Sequence, residues 1–216
     1  MKGIFAVYKP KGPTSHNIVD AIRKMTGERR VGHAGTLDPL ASGVLVVGVG
    51  REATRRLALE VKKEKEYLAA IKLGEFSSTD DEEGEKTNVA ISLISPPDES
   101  AVQQCLIQFV GEVEQMPPTY SALKIKGTPA YKLARAGKKV ELAPRRVQIK
   151  EVNLIEYKWP LLKIRVVCGP GVYIRSLARD IGQALNTGCY LADLVRTRVG
   201  DYNIEDAVHF NNLKNQ

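Results

Sequence analysis

The residues best placed to do chemistry lie in the stretch Gly32-His33-Ala34-Gly35-Thr36-Leu37-Asp38-Pro39-Leu40-Ala41-Ser42-Gly43. Its three glycines allow backbone geometries closed to other residues, and Pro39 stiffens the turn. Asp38 is thereby presented on a rigid loop, just before the apolar run Val44 to Val49. A carboxylate held in this way can act as a nucleophile or a general base. The same residues also suit a plain Asp-Pro turn.

Other chemistries fail on spacing. His16, His33 and His209 share no metal-ligand spacing with each other or with Cys105, Cys168 and Cys189. The acidic stretch Glu75 to Glu85 is not an EF-hand, because Thr79 and Ala90 would stand where carboxylates are needed. No Walker A motif is present. Gly48-Val49-Gly50-Arg51-Glu52-Ala53 matches G-x-G-x-x-A, with Glu75 near the place of a ribose-binding acid. The alternating strands and helices of a dinucleotide-binding domain do not follow, so this stretch reads as a strand-to-helix turn.

The elements that must position Asp38 are legible in outline. Gly3 to Tyr8 reads as a strand. Thr14 or Ser15 caps a helix whose inner face is Ile18, Val19, Ile22 and Met25, with Gly27 as its stop. Residues 28–43 read as loop, Val44 to Val47 as a buried strand, and Glu52 to Val61 as a helix. Tyr67 to Leu73 reads as a strand with Tyr67, Ala69 and Ile71 on one face. Asp98 or Ser100 starts a helix through Val102, Cys105, Leu106 and Phe109. A hairpin turning at Lys126-Gly127 precedes a short helix around Tyr131 to Ala136. Strands at Val147 to Tyr157 and Leu161 to Val167 lead through Gly169-Pro170-Gly171 into a helix with Ile174, Leu177, Ala178, Ile181 and Leu185 inward. Hairpin-like neighbours mixed with isolated helices predict an α+β fold rather than regular βαβ winding.

At 216 residues, the chain can form one large domain that buries a core without disulfides. An odd number of cysteines without CxxC spacing predicts a reduced, cytoplasmic setting. No apolar run is long enough to span a membrane. The net charge of +7 is unevenly spread. Residues 1–108 hold 15 basic and 15 acidic side chains, whereas 121–150 alone hold nine basic residues against one acid, Glu141. Lys124, Lys126, Lys138 and Lys139 belong to that basic stretch, with Tyr120 and Tyr131 among them. Such a segment attracts a phosphate backbone, although charge runs are often only a solvated face. The acidic stretch Glu75 to Glu85 would repel phosphate, and is expected to point away from any nucleic acid.

The Asp38 loop resembles the signature of the TruB family of tRNA pseudouridine synthases. Five further stretches match in family order. Lys9 to His16 is similar to KPxGxTSH, Lys65-Glu66-Tyr67 to KxY, and Tyr120 to Lys124 to YSALK. Gly171 to Gly182 is similar to GxYIRSLxxDLG, with Ile181 for Leu, and Leu194 to Gly200 to LxRTxxG. The resemblance implies a pseudouridine synthase catalytic fold around a mixed β-sheet, with 117–141 as an inserted thumb. It implies isomerisation of uridine to pseudouridine in the T loop of tRNA, at position 55, after the base is flipped out. Nothing is oxidised and no group leaves, so no cofactor and no metal are expected. Asp38 would be the catalytic carboxylate, Arg175 would hold it ionised and oriented, and Tyr67 would stack on the flipped base. Lys9, His33, Tyr173 and Leu194 match further substrate-contacting positions. Lys124, Lys126, Lys138 and Lys139 would meet the RNA backbone. The reading predicts a monomer whose partner is the tRNA T arm, with no membrane. Many family members continue into a PUA-type RNA-binding domain, and this sequence, ending at Gln216, is expected to have none.

Overall fold

The computed structural model describes residues 2–88, 95–125 and 127–210. Along the chain come β1 (Gly3–Lys9), α1 (Ser15–Thr26), β2 (Val31–Ala34), β3 (Ser42–Val49), α2 (Arg51–Val61) and β4 (Lys65–Leu73). Then follow β5 (Glu75–Ser77), β6 (Lys86–Asn88), α3 (Glu99–Ile107), β7 (Gly111–Gln115), β8 (Lys124–Ile125), β9 (Thr128–Pro129) and α4 (Ala130–Arg135). The remainder holds β10 (Arg145–Lys158), β11 (Leu161–Cys168), α5 (Ile174–Ala184), β12 (Cys189–Val199), β13 (Tyr202–Asn203) and β14 (Val208–His209). The fold is α+β, as the sequence predicts.

The chain forms two compact units. The first comprises Met1–Leu68, Val167–Pro170 and Leu194–Gln216; the second comprises Ala69–Val166 and Gly171–Asp193. Strands β4, β11 and β12 each contribute residues to both.

In the first unit the strand order is β14-β1-β3-β12, with β2 also paired to β3 and β13 to β12. The sheet is mixed: β1 and β2 run antiparallel to β3, whereas β12 runs parallel to it. Every residue of β3 is buried, because both of its faces are covered. Leu45, Val47 and Val49 pack with Ile18, Val19 and Ile22 of α1, while Val44 and Val46 pack with Leu57 of α2. Each fully buried Val or Ile stabilises by roughly 1.5–3 kcal/mol relative to an exposed one, so β3 is the rigid floor under the Asp38 loop.

Helix α1 starts where its cap dictates. The Thr14 hydroxyl accepts from the Asn17 N–H, the Asn17 side chain accepts from the Thr14 N–H, and Gly27 closes the helix in the left-handed region. Met25 departs from expectation. It is 40% exposed, falling on the outer side of the last turn. The stretch expected as loop, 28–43, contains β2 and the start of β3. Val31 and Ala34 are buried along β3, and glycine-rich spacing hid that strand. Gly48 and Gly50 do form a strand-to-helix turn. A Cβ on Gly48 would press on Ala53 and Leu57, so the glycine serves close packing of α2.

In the second unit the order is β11-β10-β7, and β7 pairs antiparallel with β10 from Arg145↔Gln115 to Ile149↔Gly111. Asp98 caps α3 by accepting from the Ala101 N–H, and Val102, Cys105 and Leu106 face inward. The expected hairpin is present: Lys124↔Pro129 and Ile125↔Thr128 pair across a turn in which Gly127 has φ +85°. α4 follows directly.

Candidate active site

Within the first unit, the Asp38 loop is stapled on both sides of the carboxylate. Before it, Ser15 Oγ donates to the Leu37 carbonyl at 3.0 Å and accepts from the Leu37 N–H at 2.8 Å. After it, the Pro39 carbonyl accepts from the Gly12 N–H at 2.8 Å and from Lys9 Nζ at 3.4 Å. The loop also closes on itself, the Ala41 N–H donating to the Asp38 carbonyl at 3.1 Å. Leu37 is buried and acts as a plug, whereas Asp38 is half-buried. The stiffness expected from Gly and Pro is thus largely supplied by the preceding Lys9-to-Ser15 stretch.

Lys9 is fully buried, and its ammonium also donates to the carbonyls of Pro10 and Pro13, both at 2.9 Å. It clamps two loops together; it does not extend into solvent. His33 lies on β2, opposite Val47, and not in a loop. Burial, then the charges of Arg196 and His16, push its pKa down, so it is neutral at pH 7. Its Nδ1 is buried without a hydrogen-bond partner.

Tyr67 is buried on β4, alternating with Lys65, Ala69, Ile71 and Leu73 on the inner face. Burial raises its pKa and keeps the phenol protonated; the charge of Arg196 pulls the other way, and Asp38 lies within electrostatic range. Leu194 and Arg196 both come from β12, a strand the sequence reading did not anticipate. Arg196 is 1% exposed and donates from Nε to the Val44 carbonyl at 2.7 Å and from Nη2 to the Gly35 carbonyl at 3.0 Å. β12 can approach β3 this closely only because residue 43 is glycine, with φ +105°; a side chain there would collide with the Arg196 carbonyl. Lys65 is pushed down to about 8 by burial and by Arg196, and Cys168 up to about 12 by burial.

The second unit carries Tyr173 and Arg175. Tyr173 precedes the first turn of α5, and its backbone is gripped by Gln115: the Tyr173 N–H donates to Gln115 Oε1 at 2.8 Å, and Gln115 Nε2 donates to the Tyr173 carbonyl at 3.1 Å. This side-chain amide does the work of a missing cap. Arg175 is buried, and it donates to the Tyr120 carbonyl at 2.8 Å and the Thr79 carbonyl at 3.3 Å. Its Nη1 lies 3.4 Å from the Asp81 carboxylate. Asp180, on the same helix, is engaged by Arg179 at 3.1 Å. Arg179 also reaches Asp80 at 2.9 Å and the Met116 carbonyl at 2.8 Å.

In the acidic stretch β5 and β6 form a hairpin, and Asp80 and Asp81 at its tip turn onto the cations of α5. The same cations hold the carbonyls of Met116 and Tyr120. Further along, Lys124, Lys138 and Lys139 are exposed, and Lys139 pairs with Glu141 at 2.9 Å. Lys126 lies outside the described residues. Among the described residues, no group of three or more His, Cys, Asp or Glu could hold a metal ion, and no helix is long and apolar enough to cross a membrane.

The sequence reading missed Ser15, Asp81, Lys65 and Arg196 as members of these networks. Three of the four stand within stretches already matched to family motifs. Asp81 stood in plain view within the acidic stretch.

Residues 23–174 match the family model described as TruB family pseudouridylate synthase, N-terminal domain, and residues 175–216 match tRNA pseudouridylate synthase B, C-terminal domain. The chain belongs to the TruB family. Among curated relatives, tRNA pseudouridine synthase B of Thermobifida fusca is 45% identical over 98% of this chain and 74% of its own length. The protein of the same name from Mycobacterium ulcerans is 42% identical over 98% of this chain and 70% of its own. Among solved structures, a Cbf5-Nop10-Gar1 complex superposes with a TM-score of 0.75 at 30% identity, over 97% of this chain. The chain spans about half the length of that structure, 52%. This TruB-family chain is therefore an enzyme, a pseudouridine synthase, on a pseudouridine synthase fold.

Proposed function

We propose that this TruB-family enzyme converts uridine to pseudouridine in the T loop of tRNA, at position 55, acting as a cytoplasmic monomer without metal or cofactor. The reaction breaks the N1–C1′ bond of one uridine, turns the base, and joins C5 to C1′. The proton lost from C5 is matched by one gained at N1, so the product is an isomer.

One observation carries the assignment of Asp38. Its neighbours Leu37 and Pro39 are each fixed by contacts to the Lys9-to-Ser15 stretch, so the carboxylate sits on a loop that cannot relax. A fixed carboxylate is pre-organised to attack or to take a proton without a reorganisation cost at the moment of reaction. Tyr67, held neutral by burial, offers a flat ring for a flipped base and a hydroxyl able to handle a proton. The resemblance to the TruB family assigns Arg175 the role of a permanent cation that keeps the nucleophile ionised. Tyr173, Leu194 and His33 contact the uridine or its neighbours, and Lys9 serves by locking the loop. Lys124, Lys126, Lys138 and Lys139 meet the T-arm backbone. The identity to curated tRNA pseudouridine synthases over nearly the whole chain supports tRNA as substrate.

The test is incubation with an unmodified tRNA transcript and with a T-arm hairpin, followed by chemical mapping of pseudouridine. A single modified uridine in the T loop of both is expected. Modification elsewhere, or none, would refute the site assignment.

A further inference from the structure

We propose that Arg196 is a positioning residue for the isomerisation, holding both ends of the Asp38 loop in one arrangement. The proposal rests on the reading that Asp38 and Tyr67 carry the reaction. Its ground is the direction of the guanidinium's bonds. The Gly35 carbonyl lies before Asp38 and the Val44 carbonyl after it, and Arg196 donates to both, at 3.0 and 2.7 Å. Its charge also bears on Tyr67, whose pKa it pulls down against the larger effect of burial. One planar fork thus ties the two ends of the catalytic loop together, with its charge beside the residue that would stack on the base. An ammonium, with its compact tetrahedral donors, cannot reproduce that fork.

A simple structural tie between carbonyls would not need a charge here. Arg196 is almost fully buried, and among the described residues no carboxylate lies within ion-pair distance of it. Removing a charge from water costs several kcal/mol before any partner offsets it. Lys65 is pushed towards neutrality by burial and then by that same charge. A neutral donor would join two carbonyls with less penalty. What the charge adds is a positive field beside Tyr67 and the Asp38 loop.

The experiment is single-turnover pseudouridine formation on a T-arm hairpin by Arg196→Lys and Arg196→Met, each also combined with Tyr67→Phe. RNA affinity and thermal unfolding are measured on the same proteins. Arg196→Lys should lose at least tenfold in the rate of the bound complex, and Arg196→Met about a hundredfold, with RNA affinity within threefold of the parent. In the Tyr67→Phe background the same changes should still lower the rate at least tenfold, since they act through the Asp38 loop. An Arg196→Lys enzyme with the parental rate would overturn the proposal. So would the disappearance of that loss in the Tyr67→Phe background, or an Arg196→Lys protein that does not fold. If Arg196→Met does not fold or Tyr67→Phe turns over too slowly to measure, the rate-against-affinity split of Arg196→Lys decides. A parent enzyme inactive on the hairpin would sink the functional reading instead, as would a fully active Asp38→Asn.

Discussion

Each unit contains one deeply buried arginine, and the two are held in opposite ways. Arg175, 5% exposed, faces the Asp81 carboxylate as well as two carbonyls. Arg196, 1% exposed, is bonded to carbonyls and faces a phenol, with another cation, Lys65, nearby. The first arrangement offsets the desolvation of its charge with an opposite charge. The second leaves its charge unneutralised and spreads it over neutral acceptors. The contrast separates a cation that organises loops through an ion pair from one that makes its surroundings electropositive.

The sharpest way to break this comparison is to remove each cation and compare unfolding free energies. Arg175→Met strands the buried Asp81 carboxylate and should cost about 3–5 kcal/mol. Arg196→Met loses hydrogen bonds but also relieves its repulsion of Lys65, and should cost about 1–3 kcal/mol. Urea unfolding of both variants at pH 7 would check the order. Equal costs would erase the distinction.

A smaller effect follows from Lys65, whose pKa of about 8 in the folded protein compares with 10.5 for a free lysine. Below pH 8 both states carry the proton, and the cost of a charged, buried amine is fully present. Between pH 8 and 10.5 the unfolded chain holds more protons than the folded one, so this group makes stability rise with pH. Lys65→Met should lack that rise. Urea midpoints of the parent and Lys65→Met from pH 7 to 10 should therefore converge as pH increases, and a constant gap would contradict the buried-cation picture.

Much of the frame that carries these arginines was legible in sequence, for definite reasons. Thr14 and Gly27 announce α1 because capping chemistry is local. The alternation of Tyr67, Ala69 and Ile71 announces β4 because one face is buried. α5 declares its apolar stripe. What was hidden depends on partners far along the chain. β12 reads as half-polar because Arg196 interrupts its apolar pattern, and hydropathy cannot foresee that a guanidinium will be buried against the carbonyl of Val44. β2 was obscured by glycines whose neighbours pair with β3. The acidic stretch was legible only as a run of negative charge; its pairing appears only when Asp81 meets Arg175, 94 residues later. The Asp38 loop itself was legible as rigid, but its staples, Ser15 and Lys9, were not.

The smallest expected effect lies outside both arginine networks. Changing Lys124, Lys126, Lys138 and Lys139 together to Gln should leave the rate of the bound complex within about threefold. The slope of log affinity against log salt should shrink by up to about 0.9 for each lost phosphate contact. Affinity measured from 50 to 200 mM salt would check this, and an unchanged slope would place the RNA backbone elsewhere.

The central claim is that Asp38, fixed on its stapled loop, carries the reaction. Asp38→Asn keeps the shape of the side chain and removes its charge and nucleophilicity. The most direct measurement is single-turnover pseudouridine formation in a T-arm hairpin by purified Asp38→Asn, with hairpin affinity measured in parallel. The account predicts no detectable product over many parental half-times, with affinity within threefold of the parent. Substantial turnover by Asp38→Asn would contradict it.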